Sequence, residues 1–170
     1  NPIEFLGNKI LYEGKEIELG EKTFFIDGQL SDEVTARYPF VFNSFNEAAK
    51  AFVAGTEAEP MKVYIAPYVY WIDNPDDPQV RVGKDGKEPF GLVVKCPYLH
   101  LVGLTKNPEN VVLASSRGQT QGAVGNFTMF DFWGDGLSVK NLTMGNYCNV
   151  DLEFPLKIEL GRKKRMSAIT

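Results

Sequence analysis

The sequence predicts an all-β chain in which short buried strands stack in successive turns, and three observations carry that expectation. Apolar runs too aliphatic for a half-solvated sheet recur from Met61 onward, among them Val63-Tyr64-Ile65-Ala66, Leu92-Val93-Val94, Val111-Val112-Leu113 and residues 137–144. No long helical pattern lies between them to make βαβ crossovers, which argues against a doubly wound sheet. Finally, Leu99-x-Leu101-x-Gly103-Leu104-Thr105 and Leu137-x-Val139-x-Asn141-Leu142-Thr143 superpose at a constant offset of 38 residues, aliphatic over aliphatic and threonine over threonine. A coil of that length holding several short strands is what a β-solenoid turn requires, with like residues stacking inside.

Taken in order, residues 1–41 form a strand-rich leader. Lys9–Tyr12, Ile17 with Leu19, and Thr23–Ile26 read as strands, punctuated by Glu13-Gly14-Lys15 and stopped by Asp27-Gly28. Residues 42–170 begin with a helix that caps the strand stack. Ser44-Phe45-Asn46-Glu47 is a capping box, in which Ser44 accepts from the amide near Glu47 and Glu47 reaches back to another orphan amide. Phe45, Ala48, Ala49, Phe52 and Val53 then share one face, and Gly55 ends the helix. The alternative places the helix on the face of a sheet. The first solenoid turns follow, with the stack expected to be truncated at its C-terminal end.

A chain of 170 residues, 44% hydrophobic and 24% charged, has the size and composition of one domain with one core. Its formal net charge of -4 offers no general attraction to phosphate backbones or anionic lipid, which argues against nucleic acid and membrane as partners. No apolar run approaches the ~20 residues of a membrane span, and Asn1-Pro2 does not open a signal peptide. Either the protein is cytoplasmic or a leader has been removed. Cys96 and Cys148 have no metal-type spacing and read as two separate small hydrophobes, a disulfide being the alternative.

The stretch Gly134-Asp135-Gly136-Leu137-Ser138-Val139-Lys140-Asn141-Leu142-Thr143-Met144-Gly145-Asn146 resembles the pectin methylesterase family, whose corresponding segment runs Gly-Asp-Gly-Phe, a small residue, Ile-Thr-Phe and a closing Asn. Other elements follow the family's order: the amphipathic helix, Val63-Tyr64-Ile65-Ala66-Pro67-Tyr68-Val69-Tyr70, Leu99-His100-Leu101-Val102-Gly103, Val111-Val112-Leu113 and Phe127-Thr128-Met129. The similarity covers roughly residues 42 to 146. It departs from the pattern at Tyr68, where the family has glycine, at Pro75, Pro78 and Pro89 in a long loop, and near Ala123, where plant members carry a threonine. The resemblance implies a right-handed parallel β-helix of the pectin-lyase-like kind, with an external groove for a uronic-acid polymer. It also implies catalysis by two glutamines, two aspartates and an arginine on turns expected beyond Thr170.

Within the chain itself no catalytic residue, metal ligand or cofactor is expected. His100 is the only histidine, which rules out a histidine relay and a multi-histidine metal site within the chain. Alternating with Leu99 and Leu101, it should point away from them, as a structural or surface residue or as a groove contact. Asp73-Asn74-Pro75-Asp76-Asp77 concentrates oxygen ligands, but its spacing is not that of an EF-hand, and a solvated loop is the reading. In Ser115-Ser116-Arg117-Gly118-Gln119-Thr120-Gln121-Gly122, Arg117 could pair with a uronate while Gln119, Thr120 and Gln121 meet hydroxyls; an ordinary loop is the alternative. Arg162-Lys163-Lys164-Arg165 is a basic run that would draw a polyanion, or is simply solvated. The sequons at Asn126 and Asn141 lie in or beside strands and read as stacking and turn residues.

The functional expectation is thus the N-terminal part of a pectin methylesterase-like protein acting on acidic plant polysaccharide, secreted, periplasmic or at the cell surface, and inactive on its own. The alternatives are a non-catalytic module that binds acidic glycan or protein, and a polysaccharide lyase. An end-to-end or edge contact with another chain through an open stack is also expected.

Overall fold

The chain opens with an antiparallel meander of β1 (Ile3–Leu6), β2 (Lys9–Tyr12) and β3 (Lys15–Glu18). Glu13 and Gly14, at φ 48° and 82°, link β2 to β3 as the two-residue turn that matches strand twist, where glycine costs least. The computed structural model describes residues 3–72, 80–82, 89–115, 129–147, 150–153 and 157–160.

After the meander come β4 (Thr23–Ile26), helix α1 (Asp32–Arg37), β5 (Val41–Phe42) and helix α2 (Phe45–Lys50). Then follow β6 (Met61–Ile65), β7 (Tyr68–Trp71), β8 (Val80–Val82) and β9 (Pro89–Lys95). The remaining strands are β10 (Leu99–Gly103), β11 (Val111–Ser115), β12 (Phe130–Trp133), β13 (Ser138–Lys140), β14 (Thr143–Asn146), β15 (Val150–Glu153) and β16 (Lys157–Leu160). A 3₁₀ turn at Pro108–Asn110 leads into β11. Among the described residues no helix is long and apolar enough to cross a membrane.

Among the described residues these strands form five sheets. The largest, in the order β13-β10-β6-β4-β5, is wholly parallel, as is β14-β11-β7. In β12-β9-β8 the first pair is parallel and the second antiparallel, and β15-β16 is an antiparallel hairpin. The expected parallel pairing of the two repeats is present, with Leu101 opposite Val139. Alternation within β6 and β10 turns Met61, Val63, Ile65, Leu99 and Leu101 inward, where they meet Leu92, Val94, Val111 and Leu113 from the other two sheets in one core.

The right-handed parallel β-helix implied by the family resemblance is nevertheless not what the chain forms. The strands lie in several small sheets, two of them antiparallel and one mixed, and no closed solenoid is seen among the described residues. Two physical reasons are visible. The first three strands pair with one another, and Ile10, Tyr12, Ile17 and Leu19 pack on Phe25, Val41 and Ala66 instead of building a turn. At the other edge Val139 is 41% exposed and Leu137 42%, so the inward burial that defines a solenoid turn is lost at β13.

Helix α2 is shorter than its apolar spacing predicts. Ser44 Oγ accepts from Glu47 N at 3.3 Å, but the Glu47 carboxylate takes Lys50 Nζ at 2.9 Å. The reciprocal half of the capping box is replaced by an ion pair. Phe45 and Ala48 are buried in the core beside Val63 and Ile65, Phe52 lies past the helix and is half-buried, and Val53 is exposed. Cys96 is a free, buried thiol held above its ordinary pKa by burial, whereas Cys148 lies outside the described residues.

Candidate functional site

The outer face of the five-stranded sheet carries residues that alternate with the core. Register places Thr23, Lys62, His100 and Ser138 in one row across four parallel strands, and Phe25, Tyr64, Val102 and Lys140 in the next. At ~4.8 Å per strand the first row is a polar strip ~14 Å long. His100 is half-buried on this face while Leu99 and Leu101 are buried on the other, as the alternation predicts.

The meander supplies the wall of this strip. Lys15, the first residue of β3, holds its ammonium 5.0 Å from the centroid of the Tyr64 ring, a cation–π contact that fixes the meander against β6. Between them lies a groove of about 440 Å³ lined by residues 15–20 with Thr23, Lys62 and Tyr64. Lys15, Lys62, Glu16 and Glu18 are the charged residues among this described lining, and Glu16 is held by Lys9 at 2.7 Å.

A smaller hollow of about 280 Å³ adjoins it, with Lys15 shared between the two. Its walls are Tyr12 and Glu13 from the β2–β3 turn, Val102 to Lys106 from the end of β10, and Asn141. Burial, with the Glu13 and Asp27 carboxylates adding to it, pushes the Tyr12 phenol up to about 12, so its hydroxyl stays protonated at neutral pH. Asn141 enters the wall because Gly103 has no side chain: a Cβ there would collide with the Asn141 carbonyl oxygen. Asn141 itself sits at φ 56°, a left-handed conformation that asparagine tolerates better than most residues. It is thus a turn residue, and Thr143 Oγ1 of the same sequon donates to the Pro108 carbonyl at 2.8 Å.

The sequence-predicted contacts Arg117, Gln119, Thr120 and Gln121 lie outside the described residues, as do the 73–77 acidic loop, the 162–165 basic run and Asn126. Among the described residues no group of three or more His, Cys, Asp or Glu could hold a metal ion. Lys15, Lys62, Tyr64 and Lys106 were not anticipated. One signal could have found the Lys62 row: carrying the 38-residue offset back from Leu99 reaches Met61, which aligns Lys62 with His100 and Ser138. Lys15 and Lys106 had no such signal, since they come to line one hollow only through the folding of the meander onto the sheet.

The arrangement offers ammonium groups, an imidazole, hydroxyls and an aromatic face along one strip, which is equipment for holding a polar chain. Comparison with protein-family models, with curated proteins and with solved structures finds no match to this chain.

Proposed function

We propose that the chain is the substrate-holding part of a carbohydrate-active protein of the pectin methylesterase type, working on acidic plant polysaccharide outside the cell. The observation that carries the reading is the row Thr23–Lys62–His100–Ser138 beside Tyr64, with Lys15 set over the ring. Lysines attract uronate carboxylates, and hydroxyl and imidazole groups exchange hydrogen bonds with sugar hydroxyls. The segmental similarity of residues 134–146 to the esterases points to the same substrate.

A module that binds without turnover is the second reading, favoured by the make-up of the strip, whose members are binding groups and not a pair of carboxylates. Both readings require the purified chain to bind polygalacturonate more tightly than a neutral glucan, with the difference shrinking as salt rises from 20 to about 300 mM. Equal affinity for the two polymers, or none, would overturn both. Methanol release from methylated pectin by the protein containing this chain separates the esterase from the module, and the chain assayed alone is expected to release none.

A further inference from the structure

We propose that the hollow between the β2–β3 turn and the end of β10 is a subsite for one unesterified uronate, so that binding selects the free acid over its methyl ester. This rests on the reading of the chain as an acidic-glycan binder and names which form of the glycan it prefers.

Lys9, Lys22 and Lys50 each have a carboxylate partner, whereas Lys15 and Lys106 have no ion pair among the described residues, and both line this hollow. With Glu13 as the one carboxylate among the described lining residues, these residues together carry one net positive charge. A volume of about 280 Å³ falls just below the range for drug-sized ligands, which suits a single sugar ring. Val102 and Leu104 give an apolar patch for the C–H face of that ring, and Asn141 and the protonated Tyr12 hydroxyl are donors for its oxygens. Lys15 also lines the larger groove, so the two hollows share one ammonium group. A methyl ester keeps the shape of the sugar and removes its charge. The two forms therefore differ chiefly in what the ammonium groups contribute.

The test is an NMR titration of the 170-residue chain with a galacturonic-acid trisaccharide and with its fully methyl-esterified form, at low salt. The native chain should prefer the acid by about threefold, the scale of an exposed ion pair. Lys106→Gln should bring the two affinities together, and Lys106→Arg, which keeps the charge, should restore the preference. A trisaccharide that binds the native chain and Lys106→Gln with the same acid-to-ester ratio would overturn the subsite and leave the wider glycan reading standing. Failure of both trisaccharides to bind would sink the two together.

Discussion

Leu101 and Val139 stand opposite each other in parallel strands, yet Leu101 is fully buried and Val139 is 41% exposed. The same backbone relationship thus carries opposite energetic weight on its two sides, because the core closes over β10 and thins out at β13. Leu101→Ala should destabilise the chain by about 2–5 kcal/mol, as buried leucine truncations do, whereas Val139→Ala should stay within about 1 kcal/mol. Urea denaturation of both variants measures this, and equal losses would contradict it.

Phe45 sits edge-on to Phe52 and to Phe130, with centroids 6.0 and 5.9 Å away, and is buried where Phe52 is only half-buried. Phe45→Ala is expected to cost about 3–5 kcal/mol, and Phe52→Ala clearly less. A thermal melt that ranks Phe52→Ala as the more damaging would show that α2 is held by its C-terminal end.

Helix α2 was legible in the sequence because capping chemistry and apolar spacing are local, and the 38-residue repeat was legible because like residues recur at like positions. Its partner Glu47–Lys50 was less so, since two functions competed for one carboxylate. Helix α1 escaped notice altogether: it has Ser31 as N-cap and Asp32, Glu33 in its first turn but buries no side chain, so no apolar period announces it. The meander's docking and the groove it creates depend on contacts between residues such as Lys15 and Tyr64, nearly fifty positions apart. Nothing local encodes such a meeting.

Asn46 is buried and donates from Nδ2 to the Ile72 carbonyl at 3.0 Å, tying α2 to the end of β7. Asn46→Ala should leave that carbonyl without its donor and cost about 1–3 kcal/mol. Hydrogen exchange around Ile72 should accelerate in the variant. Unchanged stability would mean that water replaces the amide at no cost.

Burial raises the Asp27 carboxyl above its ordinary pKa, with the Gln29 amide pulling it back in part. The folded chain therefore binds this proton more tightly than the unfolded chain does. Asp27 makes stability fall as pH rises from the ordinary carboxylate value through the raised one, and its cost is complete above that. Asp27→Asn keeps an acceptor for Gln29 and removes the charge. It should be more stable than the native chain at pH 7, with the gap closing as pH falls through the raised value. A gap that ignores pH would exclude ionisation as its cause.

Gly103 admits the Asn141 carbonyl against its α-carbon, and Gly103→Ala should force β13 away from β10. The expected readout is a lower melting temperature together with loss of protection at Val139 and Lys140. Full retention of both would show that the loop at Asn141 adjusts freely.

The spacing of the pairings also sets an order of assembly. Partners in the meander lie at most nine positions apart, whereas β6 meets β10, and β9 meets β12, only across 38. Two doublings of loop length add about 1.2 kcal/mol of closure entropy to each of these two pairings before any contact repays it. The meander can therefore form early and independently, but its apolar face has no surface to rest on until β4 has joined β6. A meander formed first would expose that apolar face until the 38-residue pairings close, so the rate at which distant strands find each other would govern how long the exposure lasts.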